Sequence, residues 1–164
     1  MARNGVERAD REEPVSLPDA VKNLLDECRM VLPGIQALFG FQMVIVFNQG
    51  FTDKLTDPQR VVHLAAIGLV VLAIALVMAP AAIHRQLHPM AVSTHLLRLS
   101  TRLLLWSMVP LALGICADFF LVARVILGPT VVAPIVACAL FAVFLVFWFV
   151  LPRAAALRHS VAGD

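Results

Sequence analysis

Asp118 is the residue best placed to do chemistry. It lies inside the apolar run 103–127, with no other charged residue within five positions. If that run crosses a bilayer, burying an acid at such depth costs ~2.5–3.5 kcal/mol on insertion scales, which makes the residue a functional candidate by default. Ser107, Pro110 (or Leu111), Gly114 and Asp118 follow one another at three- and four-residue steps. They form a stripe of small and polar groups that lets another helix approach closely. The functional reading is a carboxylate that binds a proton or a cation. The structural reading is an acid that is neutral or hydrogen-bonded to a neighbouring helix. Gln42 is the expected partner, because counting ~1.5 Å per residue from the inner ends of two outward-running helices puts both residues at similar depth. Its amide can donate to a carboxylate or accept from a protonated one. Gln36 adds polar content further in on the same helix.

Asn48, His63 and Arg124 are expected to form a polar layer near the outer surface. They read either as an ion entrance with a titratable imidazole or as interfacial side chains reaching for water. Arg124 is about 240° around the helix from Asp118, so no intrahelical salt bridge is expected. His84 and His88 have the i, i+4 spacing of a helical metal pair and His95 adds a third imidazole, but Pro89 interrupts the helix and no Cys or acid lies nearby. With Arg85, Arg98 and Arg102 the region reads instead as a contact for anionic headgroups. Cys28, Cys116 and Cys138 have no metal-ligand spacing and read as reduced structural thiols. No nucleophile–base pair, phosphate loop or zinc motif occurs in the sequence, so neither a cofactor nor a metal is implied.

The elements that must position these residues are long and apolar. Hydrophobic residues make up 60% of the 164 and charged ones 15%, against ~25% charged in an ordinary soluble domain. Runs at about 31–49, 61–80, 103–127 and 131–151 each match the ~20 residues that a helix needs to cross ~30 Å of hydrocarbon. The fold class is therefore all-α, a polytopic membrane protein with four transmembrane helices. Residues 1–15 are charged and read as a disordered cytosolic tail with no apolar core of a signal peptide. From Ser16–Leu17–Pro18–Asp19 a capped amphipathic cytosolic helix is expected, with a kink at Pro33–Gly34. The transmembrane domain spans 16–152 and a cytosolic tail 153–164. On the second helix Gly68, Ala75, Ala79 and Ala82 form a small-residue packing stripe. Phe141, Phe144, Phe147, Trp148 and Phe149 crowd the fourth, which reads as the most lipid-exposed.

Orientation follows from lysine and arginine. Of the 13 such residues, ten fall in 1–30, 82–102 or the C-terminal tail; two, Lys54 and Arg60, fall in the first loop; Arg124 lies inside a span. Both termini are expected in the cytosol. A net charge of +2 gives no reason to expect nucleic acid as a partner.

Leu24–Leu25–Asp26–Glu27–Cys28–Arg29 followed by Leu32–Pro33–Gly34–Ile35–Gln36, and then Ala79–Pro80 with His84–Arg85, resemble a family of small bacterial integral membrane proteins with four spans, filed as a domain of unknown function. The pattern there is LLxELRVxLPGxQ, then APxxxHR; Cys28 stands where an apolar residue such as Leu is usual. The resemblance covers roughly 20–152. It implies the bacterial cytoplasmic membrane, and some members carry the label sodium:proton antiporter. Carried over, the motif marks Asp26, Glu27, Arg29, Pro33, Gly34, Gln36, Pro80, His84 and Arg85. Of these, Asp26, Glu27, Arg29, His84 and Arg85 form an inner-surface cluster that could clasp the first helix to the end of the second. The reading is a small membrane protein that conducts or exchanges protons or small cations. Its partners are membrane lipids and either further copies of itself or a larger membrane complex. The alternatives are a non-catalytic accessory subunit and, third, an integral-membrane enzyme.

Overall fold

The computed structural model describes residues 16–48, 50–87 and 94–155, and every regular element among them is helical. The expected tail 1–15 and residues 156–164 of the tail expected at 153–164, with Gln49 and His88, lie outside the described residues, while 153–155 are helical.

Helix α1 runs Leu17–Val46. Its start is set as the sequence implies: Ser16 Oγ accepts from the Asp19 backbone N–H at 3.4 Å, Pro18 sits in the first turn, and Asp19 places an acid at the positive end of the helix dipole. The segment expected as an amphipathic helix and the first span form one helix, with Pro33 inside it. Val21, Leu24, Cys28, Ile35 and Gln42 are its buried residues. Their steps of three, four and seven keep one face of the helix inward over its whole length. Pro33 is exposed, so the backbone carbonyl it leaves unbonded is not trapped in the core.

A short turn of helix, α2 (Phe51–Lys54), leads to α3 (Asp57–Leu87) and then to α4 (Thr94–Leu127). Gly128 ends α4 with φ +73°, a conformation that suits a residue without Cβ. Thr130 N–H then donates to Gly128 O at 2.8 Å and turns the chain back. Helix α5 (Val132–Leu145) continues through a π-helical turn, Val146–Val150, to Ala155. Helices α1, α3 and α4 have 30, 31 and 34 residues. At ~1.5 Å per residue each exceeds ~30 Å of hydrocarbon, so their ends project beyond it.

The bundle is built around α3 and α4. Ala66, Val70, Ala73 and Val77 form the buried stripe of α3. Gly114 brings the α4 backbone so close that an added Cβ would lie 3.0 Å from Val70 Cγ2 and 3.1 Å from the Ala66 carbonyl oxygen. This corrects the expected packing stripe. Gly68, Ala75 and Ala82 are exposed, and a Cβ on Gly68 would meet nothing within 4 Å. Small side chains permit close approach but do not say which face is approached. Here the neighbouring face, carrying Val70 and Val77, supplies more apolar area and is the one buried. Helix α1 lies against α3 and, less extensively, α4; α5 packs chiefly on α4 and buries only Ala133. Phe144 and Trp148 meet on α5 with ring centroids 4.6 Å apart.

Candidate functional site

Helices α1, α3 and α4 each contribute one polar side chain to a single point. The Gln42 amide donates from Nε2 to Asp118 Oδ2. His63 Nδ1 lies 3.0 Å from Asp118 Oδ1, and its Nε2 lies 3.3 Å from the Gln42 backbone carbonyl oxygen. Gln42 and His63 are buried, 2% and 4% exposed, while the Asp118 side chain keeps 20% of its surface open. Local sequence explains the convergence. On α4, Ser107, Pro110 and Gly114 are buried on the face that leads to Asp118. On α1, Gln42 is the last residue of the inward seam.

The geometry constrains where protons sit. A backbone carbonyl can only accept, so a hydrogen on Nε2 points to Gln42 O and a hydrogen on Nδ1 points to Asp118. Asp118 thus meets the Gln42 amide and the His63 ring and still faces an opening. Gln42 Oε1, buried beside it, has no hydrogen-bond partner among the described residues.

That opening is a cavity of about 390 Å³ between the adjoining ends of α1 and α4, capped by the segment around α2. Gln42, His63 and Asp118 are at its polar end, and Leu38, Phe41, Ile45, Leu121, Val122 and Val125 form apolar walls. Asn48, Gly50 and Lys54 also line it.

The expected pairing of Gln42 with Asp118 is therefore a direct hydrogen bond, and His63 joins them in place of a separate layer with Asn48 and Arg124. Counting from the helix ends contained the signal. His63 lies about 9 Å along α3 from Asp57, and Asp118 about 14 Å along α4 from Leu127, a difference within side-chain reach for antiparallel neighbours. Asn48 Oδ1 accepts from Gly50 N–H at 3.2 Å. Arg124 is half-buried and does not line the cavity. Gln36 is exposed and does not reach the cluster; six residues from Gln42, it stands about 240° around α1.

At the far end of the bundle the expected clasp is not formed as a direct ion pair. Arg29 pairs with Asp26 on its own helix at 3.3 Å, with the Arg29 side chain 83% exposed, a geometry worth little in water. Glu27 is exposed, and His84 and Arg85 close the last turn of α3. No ion pair joins them to α1 among the described residues. His95 is exposed at the start of α4. Cys28 and Cys116 are buried free thiols and Cys138 is exposed.

Four helices long and apolar enough to cross a bilayer, with a polar triad enclosed among three of them, define a multi-pass membrane protein. The chain belongs to a family of unknown function (DUF6328), whose model matches residues 6–152. This agrees with the resemblance carried by the Leu32–Pro33–Gly34 and Ala79–Pro80 motifs. No curated protein and no solved structure gives a significant match.

Proposed function

We propose that this protein binds and exchanges protons or small cations at the Gln42–His63–Asp118 site. In this reading it works as an oligomer in the bacterial cytoplasmic membrane, with both termini cytosolic. The observation that carries the reading is the contact between two titratable side chains: His63 Nδ1 and Asp118 Oδ1 lie 3.0 Å apart, and Asp118 faces a cavity from which a cation could reach it. A carboxylate that can trade a proton for a cation is the minimal device for coupled exchange, and acids within membrane helices mark such pathways. The positive-inside balance supports the orientation, which puts the cavity at the outer face.

One observation favours the second reading, an accessory subunit without transport. Beyond the triad the core is mostly apolar: Leu24, Cys28, Ile35, Val70 and Val77 pack together, and among the described residues only Ser100 and Ser107 add buried polar side chains. Ser107, the nearby buried hydroxyl, donates to its own helix at Leu104 O. A polar route therefore enters one protomer from one end only, and exchange across the bilayer requires either rearrangement or a route between protomers. A proteoliposome assay decides between the two. Exchange predicts pH- or sodium-dependent flux above empty liposomes, abolished by Asp118→Asn with folding and oligomer size kept. Wild-type vesicles with no flux above empty ones would remove the transport reading and leave the accessory one.

A further inference from the structure

We infer that the cavity beside Asp118 is a binding site for a lipophilic ammonium, a molecule with an apolar body and a protonated amine head. A proton or bare alkali ion needs no such volume: about 390 Å³ lies in the ~300–1,000 Å³ range of small-molecule sites, and one water in the liquid occupies only ~30 Å³. The walls select an apolar body. Phe41, Ile45, Val122, Val125 and Ile126 belong to the lining, and Phe41 and Ile126 are 70% and 74% exposed. In a bilayer such a rim faces acyl chains, so a ligand dissolved in the membrane reaches the cavity from the side.

The polar end selects the head. Asp118 offers two carboxylate oxygens, each already accepting one hydrogen bond, and Gln42 Oε1 lacks a partner among the described residues. Acceptors are in excess, and an ammonium brings three donors together with the complementary charge. The charged or titratable groups lining the cavity are Lys54 from α2, His63 from α3 and Asp118 from α4; α1 contributes the neutral Gln42 and Asn48. Lys54 is exposed at the rim, where its charge is screened by water far more than that of Asp118.

The inference shares Asp118 with the exchange reading but stands on the cavity and its acceptors alone.

The test is calorimetric titration of the full chain in nanodiscs with octylammonium, octan-1-ol and octanoate, each corrected against empty nanodiscs. Octylammonium should bind saturably to the full chain and not to empty nanodiscs. The neutral alcohol should bind more weakly by about tenfold or more, the scale of a charge-assisted hydrogen bond, and octanoate should not bind. Asp118→Asn, and Val122→Trp which fills the cavity without altering the carboxylate, should each weaken octylammonium by about tenfold or more. Unchanged octylammonium binding in both variants, or octanoate binding as tightly as octylammonium, would overturn the site. Lack of proton or sodium flux in proteoliposomes would count against the exchange reading alone, because the binding measurement stands without it.

Discussion

His63 touches Asp118 through Nδ1 and the Gln42 carbonyl through Nε2, so the triad behaves as one unit, not as three separate residues. Hydrogen bonds between helices in membrane proteins contribute ~0.6 kcal/mol on average and reach ~1.7. A buried contact of 3.0 Å with one partner 5% exposed belongs at the upper end of that range. A double-mutant cycle of His63→Ala and Asp118→Asn, read by unfolding in mixed detergent micelles, should give a coupling of ~1–1.7 kcal/mol. A coupling below ~0.3 kcal/mol would be additive behaviour and would dissolve the unit. Gln42 makes a sharper test of its donor. Gln42→Met removes the donor and the unpartnered Oε1 together, whereas Gln42→Glu replaces the donor with a further acceptor against Asp118. The Glu variant should therefore be the less stable of the two by ~1–3 kcal/mol, the cost of a buried polar group left unsatisfied. Equal stability of the two variants would show that the Gln42–Asp118 bond contributes nothing.

At the scale of the helices, the question is which face of α3 meets α4. Gly114 meets Val70 and the Ala66 carbonyl, and a backbone oxygen 3.1 Å from the new carbon cannot swing aside as a flexible side chain can. Gly114→Ala should destabilise the protein by ~1–3 kcal/mol, as overpacking of a tight core does. Gly68→Ala, on the open face of the neighbouring helix, should be neutral or stabilising by up to ~1 kcal/mol through helix propensity. Thermal unfolding of both variants in detergent checks the pair. The reverse order would mean that the Gly68 stripe is the packing face after all. Rigid α3–α4 packing also matters to the site, because these two helices carry His63 and Asp118. Gly114→Ala should therefore shift the nuclear resonances of the His63 ring even though position 114 lies one helical turn from Asp118.

For the whole molecule, four spans put both ends of the chain on one side of the bilayer, and the charge distribution decides which side. In a background with Cys28, Cys116 and Cys138 replaced, Asp53→Cys should react with an impermeant maleimide applied to intact cells, and Gln86→Cys should react only after permeabilisation. Both positions are exposed, so a difference reports sidedness and not burial. Labelling of Gln86→Cys in intact cells would invert the orientation and turn the cavity toward the cytosol. Helix α5, with Ala133 as its single buried residue, leaves a long apolar face that lipid or a second copy must cover. That face is where oligomer contacts have room to form.

The sequence by itself determined the membrane class, the four helices and the Ser16 start of α1, because hydrophobic run length and end-capping chemistry act locally and need no partner. It also singled out Asp118 and Gln42, since a polar group in hydrocarbon is conspicuous whatever surrounds it. Only the tertiary structure decided that His63 belongs with them and Gln36 does not. Depth along a helix can be counted from its ends, but rotation about the helix axis is fixed by packing, and a one-residue shift turns a side chain by about 100°. The same freedom explains why the α3 stripe through Val70 is buried in place of the one through Gly68. The cavity was beyond the reach of sequence for a related reason: Phe41, Val122 and Ile126 look like any lipid-facing residues, and they line a common space only because packing brings α1 and α4 together beside the polar triad.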